Sequence, residues 1–367
     1  MKNSVLEQLK KYNSIKKADE KSIKKSLNMK EYSANIQNMK ANIQTMKENI
    51  ISPEKVFIPY DVNKLHAKGI KIIYNVYQSK YSNGKINGTG IGDFIRGCYF
   101  LIEFCKNNNF EPKIIFNNCI SNFLKMKTEY DIESLQPLLS DINMFHNNNF
   151  KDSNIQNKYI FYPKLNLNCI SDFVDYLYKL SVYSGNSFIY CNSYPTVENI
   201  PEKNKIYMRE IMEPSDEIKS EVKERLQSME LNNKDYSVFH IRSGDDYLKN
   251  DNKLFKYNYL IELIREISSC IVSDENYLII ADNNEVKLLL KNVFPRMKIL
   301  LREITHFGEG IELEEEKVKN SLIDFYMLSF SKKIISYTNY EHGSGFSYWC
   351  AKTYNIPYIS KLIKSKK

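Results

Sequence analysis

The stretch 237-SVFHIRSGDDY-247 reads as a hydrophobic strand, Ser237–Ile241, running straight into a tight turn. Alternation along a strand puts His240 and Arg242 on the same side of its end. Gly244 gives the turn its freedom, and Asp245 behind it is placed to hold the loop through backbone N–H groups. An arginine offers a planar fork of donors that suits phosphate oxygens. An apolar strand with polar chemistry only at its carboxyl end is the pattern of a parallel sheet, where ligands bind beyond the strand ends.

Working outward, the same alternation of strand and helix repeats. Downstream come a helix over Tyr257–Ile271, a buried strand at Tyr277–Ala281, a helix over Asn284–Val293 and a strand at Met297–Leu301. A helix over Asn320–Phe330, a strand at Lys333–Tyr337 and a helix over Gly345–Tyr354 follow. Upstream, strands are predicted at Gly69–Tyr77, Lys113–Phe116, Lys158–Tyr162 and Ser187–Cys191, with helices over Asp93–Lys106 and near Asp172–Tyr183. The Asn-rich span 130–156 reads as a surface loop. Strands alternating with helices predict βαβ units and parallel sheets. The expected class is α/β, with two doubly wound domains over 66–225 and 226–360 that meet near 213–235, where Pro214 opens a long charged helix.

Residues 1–52 stand apart as an N-terminal helical segment. Met29, Tyr32, Ile36, Met39, Ile43, Met46 and Ile50 step by three and four, and ANIQNMK at 34–40 is repeated as ANIQTMK at 41–47. This a/d seam fits a short coiled coil joining copies of the chain through residues 29–50, and equally an amphipathic helix packed on its own body.

The net charge of +8 over 367 residues raises the question of a nucleic-acid or membrane partner, and its distribution answers it. Residues 1–50 carry +6, the basic tail 361–367 carries +4, and the remainder carries −2. The body therefore offers a polyanion no general attraction, and no nucleic-acid partner is expected. No apolar run approaches the roughly 18–20 residues of a membrane span, and Met1–Lys17 has no continuous apolar core of a secretory signal. The expectation is a soluble, intracellular (cytoplasmic) protein with neither signal peptide nor transmembrane anchor. Seven scattered Cys without a CxxC and five scattered His fit reduced thiols, and no metal site is expected.

Two further stretches share the strand-to-helix setting. In Gly88-Thr-Gly90-Ile-Gly92-Asp93-Phe-Ile-Arg96-Gly97 a glycine-rich loop enters an amphipathic helix, whose free N–H groups favour an anion. It is not a dinucleotide fingerprint, since the third glycine of GxGxxG would fall on Asp93. In Glu341-His342-Gly343-Ser344-Gly345-Phe346-Ser347-Tyr348-Trp349 a Gly/Ser turn enters the helix that bears the only Trp, again a place for a phosphate.

Together these stretches resemble a known family. HIRSGDDY at 240–247 is similar to the H-x-R-x-G-D-Y loop of the α-1,2-fucosyltransferases and to related loops of the α-1,6- and protein O-fucosyltransferases. The run LIDFYMLSFSKKIISYTNYEHGSGFSYWCA at 322–351 resembles the same family's closing segment. YLIIAD at 277–282 looks like its strand ending in Ser-Asp or Thr-Asp, and GIGDFIRG at 90–97 like its N-terminal G-x-G-[ND] loop. The order matches over residues 86–355, more specifically in the second half. Ser243 departs from the family by replacing a second Arg, which touches donor identity, and the GSGFS turn is richer in glycine than usual.

The resemblance implies a glycosyltransferase of the GT-B kind, built of two Rossmann-like domains. The C-terminal domain would hold a nucleotide sugar, usually GDP-fucose, as co-substrate. The N-terminal one would hold a glycan or protein acceptor. Transfer would invert the anomeric centre, with no cofactor and no bound metal. Arg242 is then expected to meet the charge growing on the diphosphate. Ser344, Gly345, Phe346 and Ser347 would form the turn around the other phosphate, with His240, Gly244 and Asp245 completing the donor loop. Asp282 and Asp324 would either contact the base or ribose or cap loops. On the acceptor side lie Gly90, Gly92 and Arg96, and Asp93 is the candidate general base. Use of a different nucleotide sugar, and a non-catalytic scaffold oligomerised by its N-terminal coil, are the alternative readings.

Overall fold

The computed structural model describes residues 60–363 except 81–85, 89, 117, 126–169, 171–172, 175–176, 179–186, 190–196, 198, 245–252 and 304–313. The N-terminal helical segment with its heptad seam, the strand at Lys158–Tyr162, the Asn-rich loop, Asp245 and the last four residues of the basic tail lie outside the described residues, as does most of the helix near Asp172–Tyr183.

The quoted strand is the centre of a five-stranded parallel sheet. Its strands are β6 (Tyr236–Arg242), β7 (Asn276–Ala281), β8 (Lys298–Ile299), β9 (Lys333–Thr338) and β10 (Tyr358–Leu362), in the order β10-β9-β6-β7-β8. Numbered within this half, that is 3-2-1-4-5, so the winding reverses between β6 and β9. Both faces are covered, as a parallel sheet requires. Val238, Leu278, Ile280 and Ile334 face one side and join a core with α7 (Glu315–Ser329) and α8 (Gly345–Tyr354). Their neighbours Phe239, Ile241, Ile279, Ile335 and Tyr337 face the other, against α5 (Lys253–Ser268) and α6 (Asn284–Val293). Burial runs almost unbroken along these strands, and the strand alternation decides which of the two cores each residue joins.

The first half holds a smaller parallel sheet, β4-β1-β5, made of β1 (Ile72–Val76), β4 (Glu111–Ile115) and β5 (Ser187–Ile189). A two-stranded antiparallel pair, β2 (Gln78–Lys80) with β3 (Ile86–Gly88), fills the interval between β1 and the glycine loop. The short α1 (Asn63–Ala67) precedes this sheet. From the loop rises α2 (Ile91–Asn107), buried along most of its length. Two helices then lead to β6: α3 (Glu202–Ile211), and α4 (Asp216–Ser228), whose first turn is capped by the Ser215 hydroxyl one residue after Pro214.

Residues from Tyr60 onward form one compact unit, mixed α/β with parallel sheets. Its two sheets are joined where α2 packs on α8. Tyr99 of α2 donates to Thr353 Oγ1 of α8 at 2.8 Å, and its ring lies 5.8 Å from that of Trp349. Cys98 and Cys350 are buried in this core and Cys105 in the first-half core, all as free thiols whose pKa values are pushed up by burial. At the other end of the chain, Lys361 and Leu362 belong to β10 rather than to a tail, and Ile363 is buried.

Candidate active site

A cleft of about 270 Å³ opens at the point where the winding reverses. One wall is the start of α2, from Gly90 to Asp93; the other is built of strand ends, α7 and the β9–α8 loop. The described parts of all three motifs meet here, although nearly 250 residues separate the first from the last.

Arg242 closes β6, opposite Thr338 of β9. Its Nη1 donates to Asp282 Oδ2 at 2.6 Å, and both side chains are largely buried. Asp282 also accepts from the Ser243 backbone N–H at 3.1 Å, from the Ser243 hydroxyl and from the Gly244 N–H at 3.3 Å. One carboxylate thus holds the described start of the turn, Arg242 to Gly244. Of the two roles open to Asp282 in the sequence, the geometry shows the loop cap. Gly244 has φ +79°, a left-handed conformation that favours glycine, and a Cβ there would press on the Asn339 side-chain amide. The Tyr340 ring lies 5.8 Å from the Arg242 guanidinium, a cation–π distance.

Behind this turn sits a second buried pair. Arg302, following β8, donates to Asp324 Oδ1 of α7 at 2.9 Å, with side-chain exposures of 8% and 5%. Burial works against the Arg302 charge, and Asp324 offsets that. Lys287 of α6 is buried close by, its Nζ donating to the Leu300 carbonyl at 3.0 Å, and its pKa is pushed down by burial. A carboxylate and a guanidinium this dry are tolerated only as a pair.

His240 is buried, with an edge on the cleft. Burial depresses its pKa to about 4, so its ring is neutral at pH 7, with Nδ1 3.3 Å from Ser336 Oγ. Phe346 stacks on it at 5.8 Å and meets Phe325 edge-on at 5.5 Å. A neutral, wedged imidazole with so low a pKa is poorly suited to take a proton.

Two helices begin in this cleft. Both α2, with Gly90 as N-cap, and α8, with Ser344 as N-cap, start without a side-chain cap, and residues of both first turns line the cleft. Their backbones touch. A Cβ on Gly92 would lie 2.2 Å from the Gly345 carbonyl carbon and 2.4 Å from its oxygen, which no side chain allows.

Asp93 is the exception among the cleft carboxylates. Its nearest cation, Arg96 one turn on, stands at 3.6 Å, and 48% of its side chain is exposed. Crowding by the surrounding protein nevertheless raises its pKa, against the opposing pull of Arg96 and His342.

Of the residues singled out in the sequence, Gly90, Gly92, Asp93, His240, Arg242, Asp282, Asp324, Ser344, Gly345 and Phe346 line the cleft. Ser347 does not: it is buried, its hydroxyl donating to Ser336 Oγ at 3.3 Å and lying 3.4 Å from Tyr358 Oη. Gly244 spends its N–H on Asp282, and Arg96 flanks Asp93 without lining the cleft. Sequence reading missed Arg302, Ser321, Tyr340 and His342. Arg302 carries a usable signal, its place just beyond a strand end, whereas nothing in the local sequence marks Ser321.

The sequence matches no protein-family model and no curated protein. Among solved structures, the chain is similar to a mutant FUT1 of Arabidopsis thaliana in complex with GDP, at 10% identity and TM-score 0.48, over 79% of this chain and 70% of that one. It is similar to the α-1,6-fucosyltransferase NodZ from Bradyrhizobium co-crystallised with GDP, at 12% identity and TM-score 0.42, over 77% and 91%. A third is POFUT1 in complex with GDP-fucose, at 11% identity and TM-score 0.41, over 83% and 99%. At such identities and superpositions the likeness assigns no chemistry, which has to come from the chain's own residues.

Proposed function

We propose that the chain is an inverting, metal-independent glycosyltransferase. In this reading it moves a sugar, fucose from GDP-fucose, to a hydroxyl of a glycan or protein acceptor. The observation that carries it is the convergence of a rigidly held guanidinium, two helix N-termini and one carboxyl of raised pKa on a single cleft. Breaking a sugar–diphosphate bond puts negative charge on the diphosphate. Arg242 and the N–H groups of α8 supply preorganised compensation for it, the task that bound cations perform elsewhere. Asp93, on the opposite wall, takes the proton of the attacking hydroxyl.

The body then divides into an acceptor-side domain over 66–225 and a donor-side domain over 226–360, the GT-B arrangement. Asp324 and Ser321 line the cleft, and in this reading they meet the edge of the nucleobase. Ser243 favours a second reading, another nucleotide sugar: its hydroxyl is bound to Asp282 where the resembling loops carry a second cation.

The direct test incubates the protein with GDP-fucose, other nucleotide sugars and mixed glycan acceptors in EDTA, and follows nucleotide release and product anomeric configuration. Inverted product in EDTA with one donor is expected. Retention, or strict dependence on added metal, overturns the mechanism.

A further inference from the structure

The Arg242 guanidinium has two neighbours of different kinds. Asp282 takes one edge of its plane, with Nη1 donating to Oδ2 at 2.6 Å. The Tyr340 ring lies 5.8 Å from the guanidinium carbon, a cation–π distance. Arg242 and Tyr340 both line the cleft.

The segment between β9 and α8 sets the ring in that place. Thr338, which ends β9, is the ladder partner of Arg242, and its Oγ1 accepts from the Tyr340 backbone N–H at 3.1 Å. The Tyr340 carbonyl accepts from the Gly343 N–H at 3.1 Å and closes a turn in which Gly343 takes φ +79°. Within that turn the His342 ring stacks on Tyr340 at 5.2 Å and 28°. The preceding residue, Asn339, lies with its amide beside Gly244. Two consecutive residues of one loop thus meet the two ends of the turn Arg242–Gly244. We propose that Tyr340 is a positioning residue for the diphosphate: its ring, held by this loop, covers a face of Arg242 and fixes the plane in which the guanidinium meets the phosphate oxygens.

This rests on the glycosyltransferase reading and gives Tyr340 no contact with the reacting atoms. A guanidinium is planar and more weakly hydrated than an ammonium, so it stacks on aromatic rings. The carboxylate at its edge fixes where the cation sits, and a ring against its face fixes its tilt. Water kept from that face strengthens the pull of the cation on an arriving anion. The fork is then oriented before the ligand binds, and less freedom is lost when it does.

The test titrates the full chain with GDP against guanosine, and with UDP against uridine, in a calorimeter. Wild type is compared with Tyr340→Phe and Tyr340→Leu. Tyr340→Leu removes the ring and is expected to weaken the bound diphosphate about five- to ten-fold. Its affinity for the nucleoside should be unchanged, because the effect passes through Arg242. Tyr340→Phe keeps the ring face and should stay within about two-fold of wild type. Urea unfolding of Tyr340→Leu, Arg242→Ala and the double variant gives a ligand-free measure, in which the two losses are expected to be non-additive. Unchanged diphosphate affinity in Tyr340→Leu, equal weakening of nucleoside and diphosphate, a Tyr340→Phe as weak as Tyr340→Leu, or additive unfolding losses overturns the assignment and leaves the glycosyltransferase reading intact. A wild type that binds neither GDP nor UDP overturns both.

Discussion

The two walls of the cleft handle charge in opposite ways. On the second-half wall the acids are matched: Asp282 is bound to Arg242, and Asp324 to Arg302, in largely dry surroundings. On the first-half wall Asp93 is half exposed, only loosely approached by Arg96 and raised in pKa. One wall presents a fixed field, suited to holding an anion whose charge grows during reaction. The other presents a group able to change its protonation state. In the proposed reading binding and proton transfer fall to different elements, whose starts meet where Gly92 of α2 lies against Gly345 of α8.

The largest expected effect comes from unpairing the fixed wall. Arg302→Met leaves the Asp324 carboxylate buried and should cost about 3–5 kcal/mol in urea unfolding. Combining it with Asp324→Leu should recover most of that. If the double variant is as unstable as the single one, packing holds this wall and charge matching does not.

A smaller loss is expected at the seam. Gly92→Ala drives a methyl group into the Gly345 backbone, and overpacking of this kind costs about 1–3 kcal/mol. The helix starts should separate, so any nucleotide-induced rise in thermal midpoint should shrink by more than the stability loss explains. An unaltered nucleotide response would mean that the walls work independently.

The smallest effect is a change of slope. His240 has a folded pKa of about 4, below the ordinary value near 6.5, so the unfolded chain binds its proton first as pH falls. Its contribution to stability is intact above about pH 6.5 and is lost progressively down to about pH 4. His240→Gln should flatten the dependence of unfolding free energy on pH within that window, and an identical slope would place the proton elsewhere.

Much of the second half was legible in the sequence because its signals are local. An apolar strand ending in HIRSG, and a Gly/Ser turn entering a helix, announce their own geometry, and the helix over Asn284–Val293 and that over Gly345–Tyr354 fall where the sequence places them. Where packing decides, reading was harder. Helix Glu202–Ile211 is polar along most of its length and was not anticipated, and the strand expected over Met297–Leu301 keeps only Lys298 and Ile299 in the ladder. Asp282 keeps two open roles in the sequence because its partners, Arg242 to Gly244, lie some forty residues away. Ser347 sits in the right turn, yet the helical rotation from Gly345 turns its hydroxyl into the core. His342 lies in the quoted Gly/Ser turn, but its place on the cleft depends on a wall contributed by the other half.

The central claim is that Arg242 anchors a nucleotide diphosphate in this cleft, and thermal midpoints in GDP, UDP, ADP and CMP test it most directly, in the wild type and in Arg242→Ala. A ligand that binds only the folded state raises the midpoint, by about 2.7 kcal/mol of stability at a hundred times its Kd. The account predicts a selective rise with GDP that is abolished in Arg242→Ala. No response to any nucleotide, or the same response in the variant, would contradict it.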